Sequence, residues 1–211
     1  GDFYWIEEIG DYKIIATVDC TGHGVPGAFM SMIGHNLLNQ IVSENNTFDP
    51  GFILQELNKG IQAALKQGQN QVNTNDGMDV SMLALNTKTR DCFWAGAFRS
   101  LVIISDTLEI EKIEGNKYSV GGAQLDSRRI FSTHVRTLKP NDTLYMFTDG
   151  YADQFGGDKG KKFMVKRFHD HLLSIYDLPM EQQKEALEKQ FESWKGGLEQ
   201  VDDVLVIGVR V

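Results

Sequence analysis

Cysteine, proline and long hydrophobic runs are all scarce in this sequence, and each scarcity excludes a class of protein. The two cysteines among 211 residues, Cys20 and Cys92, are too few for a disulfide framework and lack the spacing of metal-ligand pairs. We therefore expect a reducing compartment, the cytoplasm. No apolar run approaches the ~18 residues that a membrane-spanning helix needs, and no signal peptide is visible.

Positive charge is also in the minority. Lys and Arg number 21 against 29 Asp and Glu, which leaves a formal net charge of −8. Nucleic acids and anionic membranes are bound by clustered Lys and Arg, so the composition argues against both as partners. An acidic excess suits a protein that holds cations with carboxylates, although solubility alone is a sufficient reason for it.

The length of 211 residues and the ordinary composition, 41% hydrophobic and 24% charged, predict one globular domain with a substantial core. The chain begins without Met and is already in a run typical of a strand. We therefore expect 1–211 to be a single domain, the C-terminal part of a longer regulatory protein.

Hydrophobic periodicity predicts an α+β fold. The predicted strands are 3–8, 12–18, 79–86, 91–97, 101–105, 108–114, 130–137, 143–148 and 204–211. The predicted helices are 28–43, 52–66, 163–176 and 180–195, with a polar loop at 67–77 and with Phe29, Met30 and Met32 assigned to the core. Short links between consecutive strands favour antiparallel pairing, and a sandwich of two sheets with helices outside would bury all of these elements.

Several aspartates stand where a predicted strand begins or ends. The set comprises Asp2, Asp19, Asp79, Asp149, Asp202 and Asp203. A buried carboxylate is costly unless a cation or hydrogen bonds compensate, and Lys and Arg are scarce beside these positions in the sequence. Oxygen ligands select hard cations such as Mg²⁺ or Mn²⁺, and two ions sharing a carboxylate can activate water for attack on phosphorus. Each aspartate taken alone is equally compatible with a turn or a helix cap.

Four short motifs follow one another along the chain. They are GDFY at 1–4, DCTGHGVPGA at 19–28, FTDGYAD at 147–153 and VDDV at 201–204. Each is weak alone, but in this order they resemble the SpoIIE-like (RsbU-type) branch of the metal-dependent PPM Ser/Thr protein phosphatases. The resemblance implies a β-sandwich of two mostly antiparallel sheets flanked by pairs of helices, with a metal cluster at one end.

The same resemblance implies roles for individual residues. Asp19 would bridge two Mn²⁺ or Mg²⁺ ions, and the Cys20 carbonyl would help to hold one of them. Asp149 and Asp202 would ligate the other ion, which makes Asp19, Asp149 and Asp202 the catalytic set. The supporting metal positions are Asp2, acting directly or through water, Asp203, and Asp153 for a third, weaker ion that Asp79 could join.

The sequence departs from the eukaryotic relatives at two functional positions. Those relatives carry a general-acid histidine two residues after the bridging Asp, where this chain has Thr21; His23, two residues further, is either that acid or, in the favoured interpretation, a solvated loop residue. They also bind phosphate with an N-terminal arginine, and no Arg precedes Arg90 here. Arg99, in WAGAFRS at 94–100, replaces the Asn-Ala-Gly-His of the bacterial branch. It is a phosphate or partner contact or, in the favoured interpretation, a surface arginine.

The implied activity is that of a phosphoprotein Ser/Thr phosphatase that uses two-metal-activated water, without a phosphoenzyme, in bacterial signalling. The implied partners are a phosphorylated substrate of the STAS-type anti-sigma-factor-antagonist class and an upstream sensor domain acting through helices 28–43 and 52–66. The resemblance does not identify the oligomeric state, and a homodimer is one of the assemblies left open. Two alternatives are a non-catalytic interaction module with a degenerate phosphatase fold, and a two-metal hydrolase of small phosphoesters or nucleotides.

Overall fold

The structure is a computed structural model that describes residues 1–22, 24–67, 75–122 and 129–211. His23 and most of the predicted polar loop 67–77 therefore lie outside the described residues. The chain divides into two compact units, one of residues 1–101 and 112–138 and one of 102–111 and 139–211. Among the described residues, none of the helices has the length and apolar character that crossing a membrane requires. The single domain expected over 1–211 stays a prediction.

The order of elements confirms the predicted α+β class. In chain order they are β1 (Phe3–Ile9), β2 (Tyr12–Cys20), α1 (Gly24–Asn45), α2 (Pro50–Ala64), β3 (Gly77–Asn86), β4 (Asp91–Ala97), β5 (Leu101–Ile104), β6 (Ile110–Ile113), β7 (Val120–Gly121), β8 (His134–Thr137), β9 (Thr143–Phe147), α3 (Gly150–Asp153), β10 (Phe155–Gly156), β11 (Lys161–Lys162), α4 (Val165–Ser174), α5 (Met180–Lys195) and β12 (Val206–Arg210). The predicted opening hairpin is present, and β4 and α5 have the predicted bounds.

The first unit is built on an antiparallel sheet in the order β1-β2-β3-β4-β8, with β7 paired to β3. The long helices α1 and α2 contribute to its core, in which Val80 and Met82 of β3 are fully buried together with Leu57 and Ile61 of α2. Val80 and Met82 are two residues apart and therefore share the face of β3 that packs on the helices, while Ser81 and Leu83 are fully buried on the other face. The ends of β2 and β3 thus belong to a sheet that is buried against two helices.

The segment TFDP at 47–50 is typical of a helix start, and α2 begins there, two residues before the predicted 52. Asp49 caps the helix, because its carboxylate accepts a hydrogen bond from the Gly51 amide at 3.1 Å. Pro50 follows in the first turn, where the missing N–H of proline leaves no hydrogen bond unmade. The predicted second helix is therefore confirmed, with an earlier start.

The second unit holds most of an antiparallel sheet in the order β12-β9-β5-β6 and the helices α3, α4 and α5. Its core contains Tyr145 of β9, Tyr151 of α3, Phe168 of α4 and Phe191 of α5. The rings of Tyr151 and Phe168 lie 4.8 Å apart, so aromatic packing joins α3 and α4.

Two sequence expectations about α1 are wrong. The helix begins at Gly24 rather than at residue 28, and Phe29 and Met32, predicted as core, are each 61% exposed. Met30, the third residue of α1 predicted as core, is buried as expected, and the inner face also carries Leu38 and the glycine Gly34, which packs on the side chain of Met78. A glycine on the inner face removes one large apolar residue from the periodic pattern, and the periodicity alone then misplaced the buried stripe.

Three predicted strands also begin later than expected. The strand predicted at 108–114 begins at Ile110, the one at 130–137 begins at His134, and the one at 204–211 begins at Val206. All three differences lie at strand ends, where pattern-based boundaries are least precise.

Gln183 is the buried polar anchor of α5, and its removal gives a first testable prediction. Its side chain accepts a hydrogen bond from the Tyr145 hydroxyl at 2.6 Å and donates to the carbonyls of Tyr176 and Leu178, both at 3.0 Å. Gln183→Ala leaves these buried groups without that partner, so we expect the free energy of unfolding to fall by about 2–3 kcal/mol. The exposed neighbour offers the control: Gln182→Ala should change it by less than about 0.5 kcal/mol in the same urea titration. If the two variants had the same free energy of unfolding, the hydrogen bonds of Gln183 would not stabilise the fold as we infer.

Candidate active site

Asp19 lies in β2, one residue before the strand ends, and is directly opposite Asp79 of β3 in the strand register. Two carboxylates in this relation repel one another. The guanidinium of Arg99 compensates, because its Nη2 donates to Asp19 Oδ2 and also lies 3.4 Å from Asp79 Oδ2. We call Asp19, Asp79 and Arg99 the carboxylate–arginine cluster.

The cluster is largely withdrawn from solvent. The side chains of Arg99, Asp19 and Asp79 are 15%, 19% and 23% exposed. Water screens such charges less than it screens surface pairs, so their attraction and repulsion act more strongly here. The favoured interpretation of Arg99 as a surface arginine is therefore wrong.

A tight turn after β4 carries Arg99 to this place. Phe98 adopts a left-handed backbone with φ of +62°, and its amide donates to the Asn116 carbonyl at 2.8 Å. The amide of Asn116 in turn donates to the Gly96 carbonyl at 2.8 Å. A Cβ on Gly115 would overlap the Arg99 carbonyl oxygen, so glycine is required where the two chain segments approach. The backbone of Arg99 is thus fixed from two sides.

Asp79 has a second partner that the sequence did not single out. The Ser119 hydroxyl donates a hydrogen bond to Asp79 Oδ1, while Oδ2 faces the guanidinium. Both oxygens of this carboxylate are therefore held by residues of the chain. Its suggested part in a third metal site stays a prediction.

Cys20 and Asp2 complete the first unit's share of the predicted site. Asp2 immediately precedes Phe3, which pairs with Val18 of β2. The pKa of the Cys20 thiol is raised to about 12, mainly by burial; a hydrogen bond with Ser31 opposes the rise, and the charges of Asp19 and Asp2 add to it. The side chain is thus a neutral thiol at physiological pH, which leaves the backbone carbonyl as the group of Cys20 able to ligate a hard cation.

The second unit brings the segments of Asp149 and Asp203 together. Asp149 is half-buried between β9 and α3, and the next residue, Gly150, packs directly on the Asp203 carbonyl. The Thr148 amide donates to the Leu205 carbonyl at 3.0 Å, and the Leu205 amide donates to Thr148 Oγ1 at 3.1 Å. Two of the four sequence motifs are therefore neighbours in this unit, as the predicted metal site requires.

Asp202 and Asp153 have different surroundings within this unit. Asp202 is exposed, and its Oδ1 accepts a hydrogen bond from the Asp203 amide at 2.8 Å. Asp153 pairs with Lys162, whose Nζ lies 2.7 Å from Asp153 Oδ2. The scarcity of basic residues beside the strand-end aspartates in the sequence does not persist in the fold, since Arg99 reaches both Asp19 and Asp79.

The predicted ligands are thus divided between the units. The first holds Asp2, Asp19 and Cys20; the second holds Asp149, Asp153, Asp202 and Asp203. In neither unit do the described residues include three His, Cys, Asp or Glu side chains arranged to hold a metal ion. Convergence of the two sets on one pair of ions stays a prediction.

The donor chemistry of these residues nevertheless fits a hard divalent cation. The groups available are carboxylate and carbonyl oxygens, the nearby thiol is protonated, and Asp19 already takes a cation as its partner in the form of the Arg99 guanidinium. These residues would therefore suit a hard divalent cation.

Comparison with known proteins identifies the family. The sequence profile of Stage II sporulation protein E (SpoIIE) matches residues 10–211. No curated protein matches the chain in sequence. Among solved structures, the SiaA-PP2C domain of Pseudomonas aeruginosa is 30% identical, with a TM-score of 0.89 over 100% of this chain and 80% of that chain.

Two further structures share the fold. The RsbU and RsbW domains of Rv1364c from Mycobacterium tuberculosis are 18% identical, with a TM-score of 0.74 over 100% of this chain and 56% of that chain. RsbX in complex with magnesium is 15% identical, with a TM-score of 0.63 over 98% of this chain and 85% of that chain. These likenesses confirm the predicted PPM, or PP2C, fold. Together with the profile match and the SiaA likeness, they show that the chain belongs to the SpoIIE family of PP2C-type phosphatase domains.

Proposed function

We propose that this domain is a metal-dependent phosphoprotein phosphatase that hydrolyses phosphoserine and phosphothreonine monoesters. The observation that carries the proposal is the half-buried carboxylate of Asp19 near the end of β2. It pairs with the guanidinium of Arg99 and lies opposite the carboxylate of Asp79. Membership of a phosphatase family and the magnesium of the RsbX complex support the same chemistry.

In this proposal Asp19, Asp149 and Asp202 hold two divalent ions, with Asp2, Asp203 and the Cys20 carbonyl in support and Asp153 at a third ion. Bound ions of this kind activate a water molecule and neutralise charge on the phosphoryl group. The chain's own part is to fix the oxygens in advance. The β2–β3 ladder holds Asp19, and the contact between Gly150 and the Asp203 carbonyl holds the segments of Asp149 and Asp203 together.

The proposed partners follow from the relatives. One neighbour pairs an RsbU domain with an RsbW domain in a single chain, which supports a regulatory phosphoprotein as substrate. We propose a STAS-type anti-sigma-factor antagonist in the cytoplasm, an upstream sensor domain that acts through α1 and α2, and a homodimer as the assembly.

The experiment is hydrolysis of para-nitrophenyl phosphate and of a phosphoserine peptide by the purified domain, with and without Mn²⁺ or Mg²⁺. We expect turnover of both substrates only with metal, loss of turnover in excess EDTA, and recovery when metal is restored. Faster turnover of nucleotides than of phosphoproteins would favour the small-phosphoester hydrolase instead. Absence of Mn²⁺ binding at millimolar metal in calorimetry would favour the non-catalytic interaction module.

A further inference from the structure

The carboxylate of Asp19 already pairs with a positively charged side chain of the same protein, Arg99. The guanidinium of Arg99 donates directly to the carboxylate that would bridge the two ions. The cluster of two carboxylates and one guanidinium has a formal charge of −1. Removing the guanidinium would leave the opposed carboxylates of Asp19 and Asp79 without the positive charge that offsets their repulsion.

Both the backbone and the side chain of Arg99 are held by the surrounding structure. Its backbone is held by the left-handed Phe98 and by the close approach of Gly115, and its side chain is only 15% exposed. Asp79, the second acceptor, is itself oriented by the Ser119 hydroxyl. The Arg99 guanidinium can therefore remain paired with Asp79 when it separates from Asp19.

A divalent ion and a guanidinium cannot both lie against one carboxylate without mutual repulsion, which is strong at this degree of burial. We propose that Arg99 is an internal competitor for the metal at Asp19, so that metal binds by displacing the guanidinium onto Asp79. This inference rests on the proposed function in one respect, that Asp19 holds a divalent ion. The cluster would then set the metal concentration at which the site fills.

The test is the affinity for Mn²⁺ itself, measured without substrate on metal-stripped protein by calorimetry and by the electron paramagnetic resonance signal of free Mn²⁺. Arg99→Gln removes the competitor, and its Kd for Mn²⁺ should fall by about tenfold or more, since a charge at this range changes the proton affinity of a carboxylate at least that much. Asp79→Asn removes the alternative acceptor and concentrates the guanidinium on Asp19, so its Kd should rise by about threefold or more.

The opposite signs separate competition from damage to the fold, which would weaken binding in both variants. Arg136→Gln, which changes an exposed arginine of β8 in the same unit, serves as the control and should bind Mn²⁺ like the wild type. A folded Arg99→Gln variant that binds no more tightly than wild type would overturn the inference alone. If that variant does not fold, a Kd of Asp79→Asn at or below the wild-type value overturns it. A wild-type protein that binds no Mn²⁺ would overturn both the inference and the proposed function.

Discussion

Asp19→Asn is expected to lower kcat/KM for a phosphoserine peptide at saturating Mn²⁺ by about a thousandfold or more, because it removes the carboxylate that we propose as the shared ligand of two ions. The asparagine keeps the size and one oxygen of the side chain but loses the charge that holds a divalent cation. Mn²⁺ binding in calorimetry should be lost together with turnover. The measurement is steady-state hydrolysis of the peptide over a range of Mn²⁺ concentrations.

The fold should survive this substitution. Asp19 faces Asp79, and the Arg99 guanidinium keeps Asp79 as its acceptor when Asp19 becomes neutral. The neutral asparagine also removes the repulsion between the two opposed carboxylates, which offsets part of the attraction to the guanidinium that is lost. We therefore expect the free energy of unfolding to change by less than about 1 kcal/mol. The matched control is Asp11→Asn, which removes an exposed aspartate that pairs with Lys88 at 2.8 Å. Asp11→Asn should retain full activity. A fully active Asp19→Asn would show that Asp19 is not the bridging ligand.

The secondary structure was predictable where one physical signal decided it. β4 and α5 were predicted with their observed bounds, because alternation and a helical charge pattern each end at clear turn residues. The cap and proline at Asp49-Pro50 mark the start of α2, which lies two residues before the start that hydrophobic periodicity predicted. In α1, the buried inner face carries a glycine, Gly34, where the hydrophobic pattern expects a large apolar residue. The pattern therefore predicted Phe29 and Met32 to be buried, whereas both are exposed.

The site was predictable as a set of aspartates at strand ends but not as a set of contacts. Arg99 and Asp19 are 80 residues apart in sequence, and their pairing depends on a left-handed turn at Phe98 that local propensity does not specify. One signal was available. Had the register of β2 and β3 been inferred, two opposed carboxylates would have required a cation, and Arg99 already stood out as a departure from the family motif.

Gly150→Ala is expected to lower both stability and activity. Gly150 is helical, so the requirement for glycine comes from space rather than from a positive φ. A Cβ at this position would overlap the Asp203 carbonyl oxygen, lie 2.9 Å from the Asp203 carbonyl carbon and lie 3.3 Å from a Val204 methyl group. Two backbones meet here, and no side-chain rotation can relieve the overlap. We expect the free energy of unfolding to fall by about 2–3 kcal/mol.

The same methyl group would push apart the segments that carry Asp149 and Asp203. Activity measured well below the unfolding temperature, where the variant is fully folded, should therefore fall by more than the stability loss explains. The matched control is Gly197→Ala, because a Cβ at Gly197 meets nothing within 4 Å. That variant should differ from wild type by less than about 0.5 kcal/mol and keep its turnover. Gly150→Ala could instead unfold at a lower temperature yet hydrolyse phosphopeptide at the wild-type rate while folded. In that case the contact between Gly150 and Asp203 stabilises the fold only, and the spacing of Asp149 and Asp203 does not govern catalysis.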